Sequence, residues 1–171
     1  MVEEALEALT IRLGAALAGR GWMLGCAESC TGGFLSSVLT DAPGASAWFA
    51  GAVVAYSNAV KRDILGVSSG ILDTKGAVSR ETVLAMAKGA RAILRADVAV
   101  SISGVAGPSG GTPQKPVGTV WLAWEGPEAI VVKRFNFPGD RLAIKRQAVR
   151  EALSGLLAMA EGRTQPSDPP A

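Results

Sequence analysis

The sequence predicts a single-domain α/β fold, a three-layer α/β/α sandwich with a mixed β-sheet. Three observations carry that expectation. Short apolar runs at Trp22–Cys26, Phe49–Ala55 and Val98–Ile102 alternate with segments whose apolar residues recur at helical spacing. Two further runs, Val117–Trp124 and Ala129–Phe135, flank Glu125-Gly126-Pro127-Glu128 and read as an antiparallel hairpin, which makes the sheet mixed. The chain has 171 residues, 49% of them hydrophobic and 19% charged, enough for one real core and too apolar for general disorder.

In order, Val2, Leu6, Leu9, Leu13, Ala16 and Leu17 form the stripe of a first helix, with Gly19 and Gly21 as its stops. Trp22–Cys26 is the first strand. A polar turn, Ala27 to Gly33, then leads into a helix that ends near Asp41-Ala42-Pro43-Gly44. Phe49–Ala55, small and apolar throughout, reads as a strand covered on both faces. A helix follows from Ala59 to Leu65, then a loop through Asp73–Ser79. Ser79 is the natural N-cap of the next helix, whose buried stripe is Val83, Ala87, Ala90 and Leu94. After the third strand and the hairpin, Pro138-Gly139-Asp140 opens a last helix through about Ala160. The domain is expected over residues 1–160. The polar, Pro-rich residues 161–171 read as a disordered tail.

Composition narrows the chemistry. The formal charge is +2 with no run of Lys or Arg, which disfavours a nucleic-acid surface. The first residues are acidic and no apolar run reaches membrane-spanning length, so no signal peptide, no membrane segment and a cytoplasmic location are expected. The sequence has no histidine, which removes Ser-His-Asp and Cys-His catalysis together with the common zinc sites. A general base must then be Lys, Asp, Glu, Tyr or water. Cys26 and Cys30 fit neither a CxxC pair nor a metal set and read as small hydrophobes.

Three polar loops, at 27–33, 56–61 and 103–112, fall at strand ends, where open α/β sheets bind ligands. In the first, Ser29 and Thr31 sit at a helix mouth beside the backbone N–H groups of Thr31, Gly32 and Gly33, expected to be unpaired and outward. That arrangement is either an ordinary N-cap or a nucleophile beside an oxyanion site. In the second, Lys61 follows Ser57 by four residues. It is a solvated surface charge unless it lies in a cleft, where desolvation would make it a base for a Ser–Lys pair. Tyr56, the only tyrosine, either anchors the strand end or orients the lysine or the substrate. The third loop fits neither a P-loop nor GxGxxG, and its glycines are either turn formers or an anion cradle of N–H groups. Lys115 and Arg141 are candidate phosphate partners. Arg141 stands at a helix start, where a cation is disfavoured unless an anion binds or the residue is simply at the surface.

Several long motifs occur together and in order: Ala-Glu-Ser-Cys-Thr-Gly-Gly (27–33), Val-Val-Ala-Tyr-Ser-Asn-x-x-Lys (53–61), Gly-Ala-Val-Ser (76–79), Ser-Gly-Val-Ala-Gly-Pro-x-Gly-Gly-Thr (103–112), Lys-Pro-Val-Gly-Thr-Val (115–120) and Gly-Asp-Arg (139–141). In these the chain resembles the CinA C-terminal domain family, of the stand-alone nicotinamide mononucleotide deamidase type, from the first helix to about residue 160. The resemblance implies hydrolysis of the carboxamide of nicotinamide mononucleotide to nicotinate mononucleotide and ammonia in pyridine-nucleotide recycling, with no metal or other cofactor, by a homodimer. It implies Ser29 as nucleophile, Lys61 as base and Tyr56 as a third catalytic residue. Substrate binding would fall to Thr31, Gly32, Gly33, Asn58, Ser103, Gly104, Gly107, Gly110, Gly111, Thr112 and Arg141. Ser103 stands where the family often has threonine, so the hydroxyl is kept. Three other readings stay open: a nucleotide-binding module without turnover, an interaction domain in a competence or DNA-damage pathway, and an enzyme acting on a related amide.

Overall fold

The computed structural model describes residues 2–163, with side chains from Ala5 onward. Its elements are α1 (Val2–Arg20), β1 (Leu24–Glu28), α2 (Phe34–Thr40), a 3₁₀ turn (Ala45–Ala47), β2 (Phe49–Val54), α3 (Asn58–Asp63), α4 (Ser69–Thr74), α5 (Arg80–Ile93), β3 (Val98–Gly104), β4 (Thr119–Glu125), β5 (Ile130–Asn136) and α6 (Arg141–Ala160). The five strands form one sheet in the order β2-β1-β3-β4-β5. Strand β1 pairs parallel with β2 and β3, while β3–β4 and β4–β5 are antiparallel. The mixed sheet expected from the sequence is the one observed.

Side-chain alternation sorts the two faces. Cys26, Val98, Val100, Ile102, Leu122 and Trp124 point into a core shared with α1, α2 and α6. Ala27, Ala99 and Ala123 point the other way, toward α5. Small residues on that side let α5 sit close to the sheet, and Ser101 is satisfied there by donating to the Val83 carbonyl at 2.6 Å. Trp48 and Trp124 are core residues, and the Trp124 indole N–H donates to the Ala152 carbonyl at 2.9 Å.

Three expectations need correction. The first strand starts two residues later than expected and runs on to Glu28, because the backbone at Ala27 and Glu28 still pairs with Val53 and Val54 of β2 and with Ser101 and Ile102 of β3. Strand β2 is a half-exposed sheet edge, whereas its apolar run reads as a strand covered on both faces. Small residues such as Gly51 and Ala52 give the same run in either setting. Helix α4 was not expected: Ser68 caps it, accepting from the Ile71 N–H at 3.2 Å, but six residues are too few to show a helical period. Of the expected tail, residues 161–163 continue from α6, with Arg12 and Arg163 both paired to Glu161. Residues 164–171 lie outside the described residues.

Candidate active site

The parallel strands end together, and their following loops meet over the sheet. The chain leaves β1 toward β2 and leaves β3 toward β4, so the β1/β3 junction is the switch point where open α/β sheets bind ligands. Ser29 directly follows β1, and its N–H donates to the Ile102 carbonyl at 2.9 Å, which fixes the residue to the end of β3.

The helix after this turn is capped from the strand before it. Buried Glu28 accepts from the Gly33 N–H at 3.0 Å, the Leu35 N–H at 3.1 Å, and both the Ser36 N–H and hydroxyl at 2.8 Å. A carboxylate at the positive end of α2 is favourable, and it satisfies donors the helix leaves free. Gly33, with φ 95°, stands at the N-cap position and supplies no side chain. Neither Ser29 nor Thr31 is therefore the cap. The expectation of three free amides also fails in part: Gly32 donates to the Ser29 carbonyl at 3.1 Å and Gly33 to Glu28. The amides of Cys30 and Thr31 donate to no carbonyl or carboxylate among the described residues.

Lys61 reaches the same point from α3. Ser57 caps that helix, accepting from the Val60 N–H at 3.2 Å, and so turns Lys61 inward. The lysine is only 1% exposed, so it is not a surface charge. Its Nζ lies 2.9 Å from Ser29 Oγ, 2.7 Å from the Ala55 carbonyl and 3.2 Å from the Tyr56 carbonyl. Burial pushes its pKa below the ordinary 10.5. As an ammonium, Nζ donates to all three oxygens; a neutral amine in the same place would donate to the two carbonyls and turn its one lone pair to the serine hydroxyl. Cys30, by contrast, is pushed up to about 12 by burial, so its thiol stays protonated.

Ser29 and Lys61 open onto a cavity of about 410 Å³ lined also by Cys30, Gly32, Tyr56, Ala77, Val78, Ser103 to Gly107, Ser109, Gly110, Arg141 and Lys145. Its size is ordinary for a small-molecule site. The structure thus brings together Ser29, Gly32, Tyr56, Lys61, Ser103, Gly104, Gly107, Gly110 and Arg141 of the expected set. Tyr56 is 68% exposed at the rim; its carbonyl, rather than its hydroxyl, orients the lysine. Ser103 donates to the Ala77 carbonyl at 2.7 Å, fastening the β3 end to the segment before α5. The Arg141 Nε donates to the Gly107 carbonyl at 2.7 Å.

Other expected residues do not line the cavity. Thr31 is wholly buried with no partner for its hydroxyl, and Gly33 belongs to the Glu28 cap. Asn58 is the exposed first residue of α3. Gly111 packs on Val117, and Thr112 closes a turn with Lys115. The Lys115 Nζ donates to the Lys75 carbonyl at 2.7 Å. Sequence reasoning missed Glu28 as the cap and Lys145 as a cavity residue. For Lys145 a signal existed: it lies one helical turn after Arg141, on the same face. Among the described residues no group of three or more His, Cys, Asp or Glu side chains could hold a metal ion. No helix among them is long and apolar enough to cross a membrane.

Fold and site define an α/β protein with a buried serine–lysine pair at the carboxyl edge of its parallel strands. The chain belongs to the CinA C-terminal domain family, whose model matches residues 6–160. It is 49% identical over 154 residues to the nicotinamide-nucleotide amidohydrolase PncC of Pseudomonas putida, covering 90% of this chain and 96% of that protein. The PncC of Escherichia coli K12 is 47% identical over 161 residues, 91% of this chain and 95% of that one. A CinA-like protein of Thermotoga maritima is 48% identical over 94% of this chain but only 38% of its own length. Among solved structures, the competence/damage inducible protein CihA of Agrobacterium tumefaciens superposes with a TM-score of 0.88 at 41% identity, covering 90% of this chain and 94% of that one. The competence damage-inducible protein A of Klebsiella pneumoniae gives 0.89 at 38% identity, over 93% and 99%.

Proposed function

We propose that this protein is a nicotinamide-nucleotide amidohydrolase that converts nicotinamide mononucleotide to nicotinate mononucleotide and ammonia through an acyl-enzyme on Ser29. The observation that carries the reading is the 2.9 Å contact between Ser29 Oγ and the buried Lys61 Nζ, in a chain without histidine. The names of the PncC relatives support the substrate class.

In the first half-reaction Ser29 Oγ attacks the carboxamide carbon and its proton passes to the lone pair of Lys61. The amide of Cys30, which lines the cavity beside Ser29, is the donor left for the tetrahedral oxyanion. As the C–N bond breaks, Lys61 returns the proton to the departing nitrogen, which leaves as ammonia. In the second half-reaction water attacks the ester carbonyl and gives its proton to Lys61, which hands it to Ser29 Oγ as the carboxylate product leaves. The carbonyls of Ala55 and Tyr56 hold the lysine in place whether it carries two or three protons. The Tyr56 ring at the rim offers a flat apolar face to a pyridine ring. A homodimer in the cytoplasm, recycling pyridine nucleotide, belongs to the same proposal; the dimer and the recycling draw on the family resemblance, the location on the acidic start and the lack of a membrane-length apolar run.

Ammonia release from nicotinamide mononucleotide, measured with EDTA present, tests the reading. Turnover by the wild type that is lost in Ser29→Ala and Lys61→Met supports it. Turnover that survives Ser29→Ala moves the nucleophile elsewhere, and tight binding without turnover leaves a nucleotide-binding module.

A further inference from the structure

The cavity carries positive charge that acyl transfer does not use. Arg141 and Lys145 both line it from the first two turns of α6, and no Asp or Glu lines it. Neither cation is paired with a carboxylate among the described residues. Among the described residues the one hydrogen bond of Arg141 runs from Nε to the Gly107 carbonyl, and neither terminal amino group of the guanidinium is engaged there. The Lys145 Nζ lies over the turn of the nucleophile, 3.8 Å from where a Cβ on Gly32 would stand. Two like charges four residues apart repel, and Arg141 also stands at the positive end of the helix. Such an arrangement is unfavourable in the empty protein, and an anion between the two side chains would reverse its sign.

We infer that Arg141 and Lys145 form a two-cation clamp for a terminal phosphate dianion, and that Lys145 is a specificity-determining residue of this site. The inference rests on the amidohydrolase reading and adds to it a second phosphate contact. Charge sets the ligand class. A phosphate monoester carries about −1.5 to −2 at neutral pH, matching two cations, whereas a bridging phosphate in a dinucleotide has lost one ionisable oxygen. A nucleoside has no such group at all. The arginine fork supplies planar geometry and the lysine supplies a point charge. Ser109 and Gly110, on the loop fastened by Arg141, line the same cavity and can add neutral donors.

The test compares nicotinamide mononucleotide with its dephosphorylated nucleoside, nicotinamide riboside, in full-length wild type, Lys145→Met and Lys145→Arg. The ratio of kcat/KM for nucleotide over nucleoside is expected to fall about 10- to 100-fold in Lys145→Met, the worth of one charge-assisted hydrogen bond, mainly through KM. Lys145→Arg is expected to restore most of it. An unchanged ratio, or equal loss on both substrates, overturns the clamp. Calorimetry on Ser29→Ala separates the clamp from the chemistry, with nicotinate mononucleotide as the probe. If the wild type releases no ammonia yet that probe binds in a Lys145-dependent way, the amidohydrolase reading fails and the clamp stands. Ammonia release with binding indifferent to Lys145→Met gives the reverse.

Discussion

Two lysines face one cavity and are built for opposite tasks. Lys61 is 1% exposed, and three oxygens surround its Nζ, all of them neutral. Lys145 is half-buried on a long helix, with no carboxylate beside it among the described residues and an open path to solvent. Desolvation without a counter-charge makes the first an amine that can give and take protons. The second stands half-buried on the cavity wall, one helical turn from Arg141, where it can hold an anion. The type of residue is the same, and the difference comes from which element presents it and what that element buries.

The largest effect should come from breaking the Lys61 half. Ser29→Ala is expected to lower kcat by about 10⁶-fold, the scale seen when a serine nucleophile is removed elsewhere. Lys61→Met should cost about 10²- to 10⁴-fold, the range of a lost general base, with binding of the product nucleotide largely retained. In contrast, Lys145→Met should act on KM, about 10- to 100-fold and only for the phosphorylated substrate. A kcat loss in Lys145→Met as large as that in Lys61→Met would erase the distinction.

Glu28 sharpens the same comparison, because it fixes the turn that both lysines face. In Glu28→Gln the amide nitrogen cannot accept, so one or more of the donors from Gly33, Leu35 and Ser36 is left unsatisfied. A loss of about 1–3 kcal/mol in chemical denaturation is expected, together with reduced kcat as Ser29 loses its register. Full stability in this variant would show that the cap is dispensable.

The smallest effect is on the pH dependence of stability. The folded pKa of Lys61 lies below its ordinary 10.5. Between those two values the unfolded chain binds the extra proton, so stability should rise with pH across that window. Below the folded pKa both states are protonated and this contribution to the slope vanishes. The rise should be absent in Lys61→Met. A wild-type slope equal to that of the variant would mean Lys61 is not desolvated enough to serve as base.

Much of the fold was legible because period and punctuation agree in it. The Val98–Ile102 run, the Glu125–Glu128 turn and the caps at Ser79 and Asp140 are local signals, and β3, the hairpin, α5 and α6 appear where those signals put them. The Ser29–Lys61 meeting was legible by elimination, since the absence of histidine left few partners for a hydroxyl. What escaped depends on contacts between segments. Glu28 satisfies donors up to eight residues away, a spacing that matches no capping pattern, and it takes the amides that the turn seemed to leave free. Thr112, Gly111 and Lys115 share a loop with true cavity residues, but the loop folds back on Val117 and Lys75. Helix α4 is too short to leave a period, and an edge strand of small residues looks like a covered one.

The most direct single measurement is an NMR titration of the Lys61 Nζ in ¹⁵N-lysine-labelled protein, set beside the pH dependence of kcat/KM. If Lys61 is the desolvated base of Ser29, its Nζ titrates below 10.5 and the acid limb of kcat/KM shares that midpoint. An Nζ that titrates at or above 10.5, while the enzyme turns over at neutral pH with a limb elsewhere, would contradict it.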